Sequence, residues 1–359
     1  MSRINCLMAV LAGLLLAAGS AAAQTGLWVA NENSSTLAEF QSTLKGGSQS
    51  PNGLIKDSND LAGASTIAFD QNENLWVTNF NANTITEFPH SEWETDAVEK
   101  HSHPAASVTI SEDAGGNLDG PEGIVFDSSE NMWVGAEDGK VILEYTPAQY
   151  VASGNPTPNV ILNADSFKFS SPSHLAFDAS GNLWVVDENR ANGQGGNGEI
   201  FRYDKDQITA LTSGNQNIDP VFGIALPEFV HLETIAFDGS GNLWEADQQG
   251  NNLYQFSASQ LTGTGLSQNL TPAAVLSATH HKGDCDQTLD GPYGLAVDGS
   301  GDLFVANVRV HGGCRGSLAE FSAGSIESSG SPKPEVFITT DGKRNSIDAP
   351  NALTFGPGL

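Results

Sequence analysis

The chain has 359 residues with 39 Gly and 16 Pro, and only 16% of its residues are charged. Such a composition argues against helical bundles and coiled coils. Lys and Arg number 15 against 43 Asp and Glu, a formal net charge of −28, and a field of that sign repels nucleic-acid backbones and anionic headgroups, so nucleic acid is not an expected partner.

The first segment reads as an address. Arg3 precedes an apolar run from Leu7 to Ala18, and Ala21, Ala22 and Ala23 form a small-residue cleavage site before Gln24. Residues 1–23 are expected to be a secretory signal peptide and residues 24–359 a secreted or periplasmic chain. The apolar run falls short of the about 20 residues that a membrane helix needs, so no membrane span is expected. Disulfides persist in such compartments. With Cys6 removed in the leader, Cys285 and Cys314 remain, both in loops of the last repeat, and they are expected to pair.

A repeat organises everything downstream. Apolar segments ending in Asp70, Asp127, Asp178, Asp238 and Asp298 recur 51 to 60 residues apart, and six residues after each comes an aromatic: Trp76, Trp133, Trp184, Trp244 and Phe304. Apolar strand, Gly/Asn/Ser turn, apolar strand is a hairpin signature. A third strand follows (Ile85 to Phe88 in the first copy), and a fourth comes farther on (Ser107 to Ile110). Four antiparallel strands per repeat make one blade of a β-propeller. At the ends, Asn351 to Gly356 matches only a first strand, while Leu27 to Asn31 and Leu37 to Phe40 match a second and third, with Asn52 to Ile55 as a fourth. The two fragments complete one blade. The expected fold is therefore all-β: a six-bladed propeller of four-stranded antiparallel blades, closed by pairing N- and C-terminal strands and leaving no open edge. A linear solenoid would need distinct capping repeats. The aromatics at the hairpin position are expected to pack between blades.

The pattern Pro-x-Gly-apolar-apolar-Asp followed by Gly-Asn-Leu-Trp-Val resembles the NHL-repeat propellers, with Gly120 to Asp127 and Gly291 to Asp298 as the nearest copies. Two enzymatic groups of similar architecture are the gluconolactonase/senescence-marker proteins, which hold calcium in the central channel, and the streptogramin lyases. This architecture hosts hydrolases, lyases and interaction modules, so the resemblance implies a fold more than an activity.

The residue between Pro and Gly of each first strand is expected to point at the axis, which gives Ser65, Glu122, Ser173, Glu233, Tyr293 and Asn351 around one mouth. The second strand returns there at Asn31, Asn79, Ala136, Asp187, Asp247 and Asn307. Convergent oxygens suit a hard cation, and the calcium lactonases carry Glu, Asn and Asp in these slots. The resemblance implies Ca²⁺ or Mg²⁺ on Glu122, Glu233 and Asn351, with Asp187 or Asp247 as further ligands; Ser65, Ser173 and Tyr293 depart from it. The alternative for the second ring is capping of turns through backbone amides. His174, His231, His280, His281 and His311 lie on segments leading to this mouth, whereas His101 and His103 lie in an outer connection on the other face. By resemblance to the lyases, His174 with Glu122 or Glu233 is a candidate acid–base couple; an exposed loop histidine is the alternative. The tract from His280 to Asp286 lacks zinc-site spacing.

Three functions follow. The first is binding of a small polar ligand, a cation or an extracellular partner at the mouth by a monomer. The second is metal-dependent hydrolysis of lactonase type, or lyase chemistry. The third is a cell-envelope interaction scaffold using rim loops such as 187–198.

Overall fold

A computed structural model describes residues 26–41, 44, 46–56, 60–93, 105–188, 198–229, 231–278, 288–308, 316–339 and 347–357. Six mainly antiparallel sheets form a ring, the six-bladed β-propeller the repeats imply. We number the blades by their first strands: Pro350–Gly356 in blade 1, Ala64–Phe69 in blade 2, Pro121–Phe126 in blade 3, Pro172–Phe177 in blade 4, Leu232–Phe237 in blade 5 and Pro292–Val297 in blade 6. In every blade this strand is innermost, and the next three strands follow outward in chain order. Blade 1 closes the ring as expected, with Gly26–Asn31 paired antiparallel to Pro350–Gly356 and Leu27 opposite Phe355. Residues 1–23, expected to be a signal peptide, both cysteines, His101, His103, His280, His281, His311 and most of the 187–198 insertion lie outside the described residues. No helix among the described residues is long and apolar enough to cross a membrane.

Each blade's aromatic packs against its neighbour. Trp28, Trp76, Trp133, Trp184 and Trp244 are buried, and four of them meet the edge of a Phe on the next blade's inner strand, as Trp133 meets Phe177 at 6.3 Å between centroids. Phe304 meets Phe355 likewise, at 5.1 Å. Edge-to-face contacts of this kind add to simple burial. The repeating Asp explains the six-residue spacing. Its Oδ1 accepts backbone N–H groups of the hairpin turn, and its Oδ2 accepts the Asn side chain four residues on and the Trp indole six residues on, as in Asp178, Asn182 and Trp184. The same bonds recur at Asp70, Asp127 and Asp238.

Blade 6 breaks this network at two places, since Asp302 stands for the Asn and Phe304 for the Trp. Both side-chain donors to Asp298 are gone, and a second carboxylate takes the place of one. Burial, and then Asp302, Glu335 and Asp298 in turn, push the Glu320 carboxyl up to about 7. A carboxyl raised in the folded state stabilises fully below its unfolded value of 4.5, and that contribution is lost as pH rises through 7. Asp302→Asn is therefore expected to raise stability at pH 7 by about 1 kcal/mol for the restored hydrogen bond, with a higher melting temperature, and to raise it by less at pH 4. Thermal melts at both pH values test this; a variant no more stable than the native chain at pH 7 refutes it.

The sheets are not all four-stranded. Between its third and fourth strands the chain swings back and pairs, in parallel, with the outermost strand of the preceding blade. Gly214–Asn217 of blade 4 joins Val160–Asn163 of blade 3, Gly265–Gln268 of blade 5 joins Phe222–Ile224 of blade 4, and Gly47–Ser48 of blade 1 joins Val336–Thr339 of blade 6. Single bridges do the same at Ile110 with Gly154 and at Leu276 with Gly330. Among the described residues, five outer edges that would template aggregation are thus covered by a neighbour. At the centre, Gly123 and Gly135 let blade 4 come close, because a Cβ on either would lie 2.4 or 2.1 Å from the Ser173 carbonyl oxygen.

Candidate functional site

The second ring holds the loops that lead into the inner strands. Asn31 accepts the Asp348 N–H at 3.0 Å, Asn79 that of Ala62 at 3.1 Å and Asn307 that of Asp290 at 3.0 Å. Asp187 accepts the N–H groups of Ser170 and Ser171, and Asp247 accepts those of His231 and Gly250. The carboxylates expected to complete a cation site therefore sit on loop amides, the turn-capping role that residues of this type fill.

One position further on lies a ring the sequence reading passed over. Here the chain carries Glu32, Glu137 and Glu188, all following second-ring residues. The backbone N–H of each bonds to a lead-in carbonyl, Glu188 to Ser171 at 3.1 Å and Glu137 to Gly120 at 2.8 Å. Glu188 and Glu137 are buried. Glu32 accepts the Asn351 amide at 3.0 Å, so Asn351 serves as a donor to a carboxylate.

The axis itself is crossed by Tyr293. Its hydroxyl, on blade 6, donates to Glu122 Oε1 on blade 3, the blade opposite, and its ring meets that of His174 edge-on at 5.8 Å. Burial, followed by the charges of Glu122, Glu233 and Glu188, pushes the Tyr293 hydroxyl well above its ordinary range, so it stays protonated and donates. Glu122, His174 and Glu188 bring one ligand atom each within 4.8 Å of one another, and so do Glu188, His231 and Glu233. Glu188 belongs to both groups. Glu233 lies 2.7 Å from His231 Nδ1, while His231 Nε2 faces Glu188 at 3.5 Å. His174 Nε2 shares a hydrogen bond with the Thr66 hydroxyl at 3.2 Å. Of the expected couples, His174 falls with Glu122, and Glu233 is joined to His231. Apart from His231 and Thr66, these side chains are at least nine-tenths buried. Glu188 carried a faint signal in sequence, the recurrence of Glu after the second ring; the pairing of His231 with Glu233 carried none beyond their two-residue separation.

Tyr293→Phe removes the cross-axis bond and leaves the Glu122 carboxylate without that donor. A loss of about 2 kcal/mol is expected, the usual cost of a deleted hydrogen bond to a buried charged group. Chemical denaturation with an unchanged m-value tests it, and a change below 0.5 kcal/mol counts against the bond.

No family model matches the chain, and no curated protein does. Solved structures match throughout. A protein of unknown function from Bacteroides caccae is 11% identical, with a TM-score of 0.55 over 91% of this chain and 97% of that one. A luciferin-regenerating enzyme is 14% identical, with a TM-score of 0.51 over 82% and 80%. A streptogramin B lyase is 11% identical, with a TM-score of 0.48 over 85% and 82%. The class of this chain is thus the six-bladed β-propeller, and at such identities the likeness is one of fold.

Proposed function

We propose that the chain is a secreted or periplasmic propeller that holds a divalent cation in this mouth and binds a small polar ligand there. The observation that carries the reading is the pair of three-ligand groups meeting at Glu188. The donor chemistry fits a cation: carboxylates suit Ca²⁺, Mg²⁺ and Mn²⁺, and two imidazoles extend the range to Zn²⁺ and iron. Glu122, His174 and Glu188 would hold the ion. Glu233, on Nδ1 of His231, fixes the orientation of that ring as outer carboxylates commonly do. A bound divalent ion supplies Lewis acidity toward a ligand's carbonyl or phosphoryl oxygen.

The 2.7 Å contact between His231 and Glu233 favours a second reading, a metal-dependent hydrolase of lactonase type or a lyase. His231 Nε2 would accept a proton from the ligand or from water, while Nδ1–H stays on Glu233. Tyr293 keeps Glu122 in place by donating to Oε1.

The test titrates Ca²⁺, Mg²⁺, Mn²⁺ and Zn²⁺ against the melting temperature, since a ligand of the folded state raises it. At least one ion is expected to stabilise the native chain, and Glu122→Gln with Glu188→Gln to abolish the rise. If none shifts the melt in the millimolar range and no metal co-purifies, the cation centre is refuted. His231→Asn separates the readings: retained metal with lost turnover supports the enzyme, and retained metal with unchanged ligand affinity supports binding alone.

A further inference from the structure

Ser173 stands on the inner strand of blade 4 at the register of Glu122 on blade 3 and Glu233 on blade 5. Each is the residue after the one that pairs with the end of the second strand. A bulge sets two residues, Ser173 and His174, opposite the single Val186. Such a bulge breaks the alternation that otherwise sends successive side chains to opposite faces, and it lets hydroxyl and imidazole share the mouth. The Ser173 side chain is completely buried, and among the described residues its Oγ has no hydrogen-bond partner. Folded proteins seldom leave a buried hydroxyl so, because it gives up its bonds to water and gains nothing in return; where one persists, a bound ion or ordered water accounts for it.

Ligand chemistry tells which ion suits the place. Glu122, His174 and Glu188 alone make a set of two carboxylates and one imidazole, and three protein ligands with an open position are what a catalytic Zn²⁺ uses. A hydroxyl adds a fourth ligand and a hard oxygen, whereas Mg²⁺, Mn²⁺ and Ca²⁺ coordinate about six or more ligands, mostly oxygens. It also adds no charge to a mouth that already gathers Glu122, Glu188 and Glu233.

We propose that the Ser173 hydroxyl is a fourth ligand of the cation held by Glu122, His174 and Glu188, and that it turns this centre toward hard divalent ions and away from Zn²⁺. The assignment rests on the cation centre already proposed and adds the oxygen that selects the ion. The full chain, stripped of metal by a chelator, is titrated calorimetrically with Mn²⁺ alone and with Zn²⁺ alone, as the native protein, Ser173→Ala and Ser173→Cys. Binding that survives Glu122→Gln belongs elsewhere on the chain and is subtracted. The native chain is expected to take up one Mn²⁺ at this centre. Ser173→Ala is expected to weaken Mn²⁺ at least about tenfold, and Zn²⁺ by less than about threefold. Ser173→Cys puts a soft sulfur in nearly the same volume and is expected to shift the preference toward Zn²⁺. Water-proton relaxation by bound Mn²⁺ is expected to increase in Ser173→Ala, as a water enters the vacated position.

A native chain that binds neither ion overturns this assignment together with the centre it rests on. Uptake of Zn²⁺ but not Mn²⁺ by the native chain overturns the choice of ion and the role of the hydroxyl. If the native chain binds Mn²⁺ while Ser173→Ala leaves affinity and relaxation unchanged or weakens both ions alike, or if Ser173→Cys leaves their ratio unchanged, the ligand assignment alone falls. Melting without metal completes the test: a Ser173→Ala chain that melts well below the native one would give the hydroxyl a structural partner and overturn its role as a ligand.

Discussion

A chain ending at Ala349 is expected to lose the folded ring. It would lack the inner strand of blade 1, which pairs with Gly26–Asn31 along six positions and accepts the Trp28 indole N–H on the Pro357 carbonyl at 2.9 Å. Leu27, Trp28 and Val29 are completely buried in the intact chain and would face water on one side. Leu27, Val29 and the deleted Leu353 alone account for about 5 kcal/mol at about 1.5–3 kcal/mol per buried side chain, a large part of the about 5–15 kcal/mol that holds a domain together. Blades 2 and 6 would lose packing as well, because Phe355 meets Phe304 of blade 6 and Ala352 packs in the blade 1–blade 2 core. Circular dichroism against temperature reads the result. A truncated chain that melts where the native chain does would show that closure contributes nothing.

Replacing Glu245 by valine is expected to have the largest stabilising effect of any single change. At the middle of the second strand the other blades carry Val29, Val77, Val134, Val185 and Val305, all packed in the core. Glu245 is equally buried, lies opposite Ile235 and Tyr254, and among the described residues neither of its carboxyl oxygens has a hydrogen-bond partner. Burial, then the charges of Asp247 and Glu233, pushes this carboxyl well above its ordinary range. In the folded chain it holds its proton; in the unfolded chain it ionises above pH 4.5. Folding at neutral pH therefore takes up a proton, and stability falls as pH rises through the window above 4.5. Glu245→Val is expected to gain about 2–4 kcal/mol at pH 7, since it removes both a buried carboxyl without a partner and the proton uptake that folding requires, and distinctly less at pH 4. Glu245→Gln should flatten the pH dependence while keeping an unsatisfied polar group. Denaturant melts across pH decide it: a valine variant that is less stable, or whose gain ignores pH, would mean that the carboxyl has a partner that matters more than its burial.

The ring was legible because its signals are local and repeated. Asp178, Asn182 and Trp184 reveal a hairpin turn at the level of spacing, since one carboxylate can reach both partners only if they follow at four and six residues. Trp at the second strand announces inter-blade packing because nothing else accommodates that volume in a twisted, half-buried sheet. The terminal fragments were complementary for the same reason. The mouth was legible only in outline. Glu122 and Glu233 occupy a slot whose direction follows from the strand, but Asp187 and Asp247 share their residue type with any turn cap, and type alone does not distinguish an oxygen facing the axis from one facing a loop amide.

By itself, then, the sequence determined the number of blades, their strand order and the closure between the chain ends, because each rests on short spacings that recur every 51 to 60 residues. Tertiary structure alone decided how the blades meet. Tyr293 reaches Glu122 across 171 positions of sequence, His231 turns to Glu188 of the neighbouring blade, and among the described residues five returning loops lie along the outer strand of the blade before them. These contacts join different repeats at no fixed spacing, so no local pattern encodes them; the bond from Tyr293 to Glu122 exists only once closure of the ring brings blades 3 and 6 face to face.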